Sequence, residues 1–512
     1  SSLDALTAAL EGKKAEAVIL QNTLREREAL IAAMRNTRGW RILDKYRKVR
    51  DRIFPKLDVK RNAGNSVAAS VVLRKSGLKV LTNKSDNVFS PGSTVVSPSR
   101  VGQKRTHVSR GLFNNVIGDP IKSKASIVIP TKNAGEEFEY TLRRIAQQEG
   151  VEEIEVIVVD SGSEDRTLDI ARQYTQDILR VSPADFHHAA TRNLGAEKAT
   201  GDFLVFTVQD AVPVSNAWLY KLLYPIYRGE ATAVSARQIP RADADLFASW
   251  AMWVHNRYLG YDHDRLISRS IFRNFEGLDM QGKRSAAGLD SVCLGISKSV
   301  FDSYLFKSGY GEDLELGVRL LMDNHTLLFQ SSNGIIHSHS RPAMYFLKRG
   351  YIDTIYLWQI LEVERKDIPV RPVIESICFL YSLIKMCMFT LNVESEFNRE
   401  PQSLIRSFLD NLEGKLAVSD SLGEFGKNGG EPLMDLFFEQ FHPRNHRHIS
   451  SEIYSAMRGS LLSFADFMRS FASIDDVRDD FMMSIYKIFS NTAGYYLGAN
   501  TKDAIDTLAE GV

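Results

Sequence analysis

The stretch Gly201-Asp-Phe-Leu-Val-Phe-Thr-Val-Gln-Asp-Ala-Val-Pro213 constrains the fold of this chain most tightly. From 203 to 208 it is a continuous run dominated by aromatic and β-branched side chains, which suits a strand covered on both faces, as in a parallel sheet. Two residues on, the chain carries a carboxylate, Asp210, before a turn marked by Pro213. An acid where a buried strand surfaces lies at the carboxyl edge of the sheet. Open α/β sheets bind their ligands there.

The preceding residues repeat this pattern. Buried strands are predicted at 125–130, 154–160 and 178–181, with helices over 136–148, from about 167 to 174, and over 186–199. Strands alternating with short helices form βαβ units and a mostly parallel, Rossmann-like α/β sheet. Right-handed crossovers then gather the carboxyl ends of the strands on one edge. Three loops meet at that edge: Pro130-Thr131-Lys-Asn133, Asp160-Ser161-Gly-Ser-Glu-Asp165 and Gln209-Asp210-Ala-Val-Pro213. Ser-Gly-Ser leading into a helix offers free backbone N–H groups, which suits a nucleotide. Asp160 fits two roles, accepting from a ribose or base and capping the next helix. A dinucleotide fingerprint is excluded, because no G-x-G-x-x-G follows the first strand.

Two further clusters carry ionisable groups. Gly309-Tyr-Gly-Glu-Asp-Leu-Glu-Leu-Gly317 places Glu312 and Asp313 at the start of an amphipathic helix, where acids also complement the helix dipole. About twenty residues later come His337-Ser-His339. Residues at i and i+2 of a strand point the same way, so both imidazoles are expected to face one pocket and could ligate a metal.

At 512 residues the chain exceeds ordinary single-domain size. Residues 1–55 read as helical, with Leu3, Leu10, Ala17, Leu24 and Ile31 at heptad spacing. Lys13 and Arg27 interrupt the second seam, so a self-associating coiled coil and a helix packed on its own protein both fit. A basic tract at 35–52 suits anionic lipid headgroups or a solvated helix face. Residues 56–122 read as a polar linker, 123–350 as the α/β domain and 351–512 as an α-helical domain. The apolar stretch at 377–391 contains Ser382 and Lys385 and is shorter than the roughly 20 residues of a span, which predicts a buried helix. A net charge of +1 gives no argument for nucleic acid. Three cysteines without metal or redox spacing and no visible signal peptide predict a cytoplasmic protein, with the basic tract as its candidate for peripheral membrane contact.

Taken as a set, these motifs resemble a family 2-type glycosyltransferase of GT-A fold. The set comprises Ser126-Ile-Val-Ile-Pro-Thr-Lys-Asn133, Val158-Val-Asp-Ser-Gly-Ser-Glu-Asp-Arg-Thr167, Ala190-Thr-Arg-Asn-Leu-Gly195, Gly201-Asp-Phe-Leu-Val-Phe206, Gln209-Asp-Ala-Val-Pro213, Gly311-Glu-Asp-Leu-Glu-Leu316 and His337-Ser-His339. Gln-Asp-Ala in place of Asp-x-Asp, with Ala236-Arg-Gln-Ile-Pro240 downstream, is similar to bacterial rhamnosyltransferases that build O-antigen-type polysaccharide. The resemblance implies a nucleoside-diphosphate sugar donor, dTDP-L-rhamnose first among them, a glycan or lipid-linked glycan acceptor, and inversion at the anomeric carbon. It implies Mg²⁺ or Mn²⁺ at Asp210 with His339 or His337, and Asp313 as general base with Glu312 second. Pro130, Thr131, Asn133, Asp160, Ser161, Arg192, Asn193 and Gln209 are then expected on the nucleotide side. Ser161 and Gln209 stand where the family often has acids.

Overall fold

A computed structural model describes residues 115–502 and residue 508, apart from 262, 269–274, 308, 391–400, 420–429 and 472–477. The expected helix at 1–55 and nearly all of the expected linker lie outside the described residues. The first strand, β1 (Ile121–Thr131), is longer than its apolar run and takes in residues assigned to that linker.

Nine strands form one sheet in the order β3-β2-β1-β4-β8-β6-β9-β5, with β7 added on β9. β2 (Val151–Asp160), β3 (Ile178–Arg180) and β4 (Phe203–Thr207) join β1 in the expected parallel half. β8 (Cys293–Ser297) departs from that pattern, running antiparallel to β4 and to β6 (Ala233–Ile239). Beyond it β9 (Leu327–Ile336) is again parallel to β6. Two short strands, β5 (Val212–Pro213) and β7 (Arg265–Ile267), pair antiparallel with β9. This order has a direct result for the site. The trailing ends of β4, β6 and β9 share one edge with the leading end of β8, so residues after the first three meet residues before the fourth.

Both faces of the sheet are covered, which is why its strands read as unbroken apolar runs. From β1, Ile127 and Ile129 enter a core with Phe138 and Leu142 of α1 (Glu137–Ala146). Between them Val128 enters the opposite core with Ala189 and Ala196 of α3 (His188–Lys198); α2 (Thr167–Ala171) is a short helix between β2 and β3. Trp218, Leu222 and Leu223 of α4 (Trp218–Tyr227) join the first of these cores. α3 lies so close to the sheet that a Cβ on Gly195 would meet Val128 Cγ1 at 2.4 Å.

A third core fills the C-terminal half and also takes in Phe247 and Trp250 of α5 (Leu246–Tyr258). After α6 (Met280–Ala287), α7 (Lys298–Tyr304) and α8 (Glu312–Met322) come the helices of that half. They are α9 (Ala343–Ile360), α10 (Val370–Thr390), α11 (Pro401–Val418), α12 (Pro432–Phe438), α13 (Arg447–Phe471) and α14 (Arg478–Asn500). Within α10, Val370–Phe389 is apolar and long enough to cross a membrane by length and composition, with mean hydropathy 1.5. Its side chains nevertheless form protein core: Phe379, Leu383, Ile384 and Cys387 are fully buried, and Lys385 Nζ meets Asp435 Oδ1 at 2.6 Å.

α9 and α14 cross at backbone contact through glycines. A Cβ on Gly494 would fall 2.1 Å from Leu347 O, one on Gly498 2.7 Å from Tyr351 O, and one on Gly350 2.6 Å from Asn491 O. Lys487 Nζ of α14 also pairs with Asp245 Oδ2, at 2.6 Å, just ahead of α5. The helical half is thereby joined to the sheet half through α5 and α9.

Candidate active site

Asp210, His337 and His339 converge at the shared sheet edge. Asp210 Oδ1 lies 3.6 Å from His337 Nε2, and Oδ2 lies 3.5 Å from His339 Nδ1. One ligand atom from each of the three falls within 4.8 Å of the other two. The histidines stand beyond β9, which ends at Ile336, so strand alternation does not aim them. Instead His337 N donates to Ile239 O at 2.9 Å, prolonging the β6–β9 ladder, and the two rings meet edge to face at 4.6 Å.

Burial lowers the basicity of both imidazoles, against the opposing pull of Asp210. They are therefore favoured in the neutral form that ligates metals. One hard carboxylate and two neutral imidazoles fit a divalent cation. His337 carries the supporting bond typical of such ligands, with Nδ1 2.7 Å from Gln238 Oε1.

The three loops are sewn to one another. Asp160 is 1% exposed, and its carboxylate accepts from Gly162 N and Ser163 N at 3.1 and 3.0 Å, from Ser163 Oγ at 2.5 Å and from Thr131 Oγ1 at 3.4 Å. These bonds hold its own loop; the helix that follows begins only at Thr167, so Asp160 does not cap it. Ser161 Oγ donates to Thr131 O at 3.0 Å, and Asn133, in left-handed backbone geometry with φ 47°, accepts from Glu164 N at 2.9 Å. Pro130 is half-buried at the end of this strand. Gln209 pairs its amide with the Lys132 backbone, accepting from N at 2.8 Å and donating to O at 3.3 Å. It thus fastens the β4 loop to the β1 loop and leaves Asp210 as the carboxylate of that turn.

Glu312 and Asp313 meet opposite surroundings at the start of α8. Glu312 is buried against Arg192, with Oε1 2.9 Å from Nη1, and burial together with neighbouring Asp313 raises its carboxyl to about 7. Asp313 is half-buried, and its oxygens accept from Ser291 N and Leu314 N, each at 2.8 Å. Arg192 is therefore engaged inside the protein, where a nucleotide-side role had been expected. Asn193 is engaged as well, pairing both ends of its amide with the Phe306 backbone at 2.8 and 3.1 Å. The reason is topological: α3 packs beside the β8–α8 region, and that contact cannot be read from α3 alone.

Asp290 and Ser291, ahead of β8, escaped the sequence reading. Ser291 N holds Asp313, while Asp290 lies within electrostatic reach of both Asp313 and His337. Burial raises the Asp290 carboxyl, and hydrogen bonds from Gln238 and Val292 oppose that rise. The short apolar run after Asp290 was the available signal for a strand. Its antiparallel direction, which brings Asp290 to this edge, was not.

Comparison with known proteins follows the same residues. Residues 126–305 match the family described as Glycosyl transferase family 2. The chain is 27% identical over 239 residues to the O-antigen chain rhamnosyltransferase WbaN of Salmonella anatum, covering 45% of this chain and 70% of that one. It is 28% identical over the same length to the O-antigen chain rhamnosyltransferase RfbN of Salmonella typhimurium, covering 45% and 71%. Among solved structures, the mannosyltransferase PcManGT from Pyrobaculum calidifontis in complex with GDP-Man and Mn²⁺ is 13% identical. It covers 71% of this chain and 92% of its own, with a TM-score of 0.38.

Proposed function

We propose that this chain, whose residues 126–305 match Glycosyl transferase family 2, transfers L-rhamnose from dTDP-L-rhamnose to a growing bacterial surface polysaccharide, with inversion at the anomeric carbon. The observation that carries the reading is the meeting of Asp210, His337 and His339 at one sheet edge, with Asp290 bonded through Gln238 to His337 and its neighbour Ser291 bonded to Asp313. The likeness to two O-antigen chain rhamnosyltransferases supports the choice of sugar and of acceptor class.

In this reading Asp210, His337 and His339 hold Mn²⁺ or Mg²⁺, and two nitrogen ligands favour Mn²⁺. A divalent cation there would neutralise charge on the departing diphosphate. Asp313 takes the proton of the acceptor hydroxyl as its oxygen bonds to the anomeric carbon and the bond to the diphosphate breaks. Two backbone N–H donors fix that carboxylate, and each oxygen keeps a further lone pair for the hydroxyl. Glu312, ion-paired with Arg192, supports the helix start that presents Asp313. The Thr131–Asn133 and Asp160–Ser163 loops form the nucleoside side, with Gln209 keeping them in register with Asp210. The enzyme would work at the cytoplasmic face of the membrane, with residues 1–50 available for self-association.

The test is turnover of a panel of nucleotide sugars with Mn²⁺, read as released nucleoside diphosphate and as the anomeric configuration of the product. dTDP-L-rhamnose is expected to be consumed with inversion. Asp313→Asn is expected to lower kcat by about 10²- to 10⁴-fold. Full turnover in Asp210→Ala, or no donor binding by calorimetry, would overturn the reading.

A further inference from the structure

Gln238 is bonded at both ends of its amide. Its Nε2 donates to Asp290 Oδ2 at 2.5 Å, and its Oε1 lies 2.7 Å from His337 Nδ1. An ionised carboxylate has acceptors alone, so with Asp290 ionised the NH₂ end of Gln238 faces Asp290 and the carbonyl end faces the imidazole. His337 then has to donate from Nδ1. The lone pair is left on Nε2, the atom 3.6 Å from Asp210 Oδ1.

The residues of this chain of bonds are held independently of one another. Asp290 Oδ1 accepts from Val292 N at 3.0 Å, and Asp290 N donates to Ser235 Oγ at 2.9 Å. Gln238 O accepts from Asn256 Nδ2 of α5 at 3.0 Å. His337 is brought alongside by the parallel register that sets Gln238 opposite Ile335 and Ile239 opposite Ile336. The leading end of β8, the trailing end of β6 and the residue after β9 therefore meet in one line of hydrogen bonds.

We infer that Asp290 and Gln238 are positioning residues that lock His337 in its Nδ1–H tautomer and so keep Nε2 open to a divalent cation. The inference rests on the reading of Asp210, His337 and His339 as a metal site, and it names residues behind that site which determine whether His337 can ligate. The reverse arrangement, with a protonated Asp290 donating to Gln238 Oε1, would place the proton on His337 Nε2 and close the position.

Two measurements on the full chain test this. In ¹⁵N-histidine-labelled protein, with His337 assigned by its loss in His337→Asn, long-range ¹H–¹⁵N spectra report which ring nitrogen carries the proton. The parent is expected to show Nδ1–H. Asp290→Asn, which frees the Gln238 amide to take either orientation, is expected to show a mixture or Nε2–H. Calorimetric titration with MnCl₂ alone is expected to give a Kd raised about 10- to 100-fold in Gln238→Leu and in Asp290→Asn, as for other outer-shell partners of a ligating histidine. An Nε2–H tautomer in the parent overturns the inference. So does a tautomer unchanged in both variants, or parent-like Mn²⁺ affinity in both. If the parent binds no Mn²⁺, the metal reading fails by itself, and the spectra still decide the relay.

Discussion

Side chains adjacent in sequence can have opposite chemistry once their surroundings differ, and Glu312 and Asp313 illustrate this. Glu312 is closed in with Arg192, whereas Asp313 is half-buried and held by backbone N–H groups. Breaking a buried ion pair leaves an uncompensated charge. Arg192→Met, which leaves the Glu312 carboxyl buried without its partner, is expected to cost about 3–5 kcal/mol in denaturant unfolding. Glu312→Gln, at a carboxyl already raised to about 7, is expected to cost less, and the double variant less than the sum of the two. Per folded molecule, Glu312→Gln should lower kcat far less than Asp313→Asn. Part of the candidate site was legible at this scale: an acid ending a buried run drew attention to Asp210, and the His-Ser-His sequence to the two histidines. Both histidines nevertheless lie past the end of β9, and the i, i+2 rule of a strand is not what brings them together. Partners made through space were not. Nothing in Ala236-Arg-Gln-Ile-Pro240 or in Gly288-Leu-Asp290 says that Gln238 and Asp290 meet, and nothing in α3 says that Asn193 is taken by the Phe306 backbone.

Among the elements, the parallel half of the sheet followed from alternation of apolar runs with amphipathic helices. β8 did not, because five residues containing a glycine carry no mark of direction. Direction is what matters there, since only an antiparallel β8 brings Asp290 and Ser291 to the edge where β4 ends. Close approach of elements is testable where glycine allows it. A Cβ at Gly195 would lie 2.4 Å from Val128 Cγ1, so Gly195→Ala is expected to push α3 off β1 and cost about 1–3 kcal/mol in thermal or denaturant unfolding. Gly494→Ala, with its Cβ 2.1 Å from a backbone oxygen of α9, is expected to cost a similar amount, about 1–3 kcal/mol. That variant should also raise the KM for donor, because α9 starts four residues after His339.

For the molecule as a whole, acid stability depends on two half-buried imidazoles, His188 at the start of α3 and His255 in α5. Burial and neighbouring arginines push His188 and His255 down to about 4. Their folded values lie below the unfolded value near 6.5, so the unfolded chain binds more protons in that window. The stability they contribute is present above pH 6.5 and is lost as pH falls toward 4. The contribution of these groups to the melting temperature should therefore drop between pH 6.5 and 4.5, and His188→Leu should make that slope shallower. Glu312 acts in the other direction, since its raised value favours the folded state at low pH and that contribution fades as pH rises through 7. The C-terminal helices were visible in the sequence as amphipathic segments, but their attachment was not, because glycines at a helix crossing leave no apolar signature. That crossing has a practical consequence for dissecting the enzyme. Cutting the chain after α9 would strip α14 from the bare backbone around Gly350 and expose the apolar side chains that α9 shares with the C-terminal core. A shortened protein ending there should aggregate, read as loss of the monomer in size-exclusion chromatography.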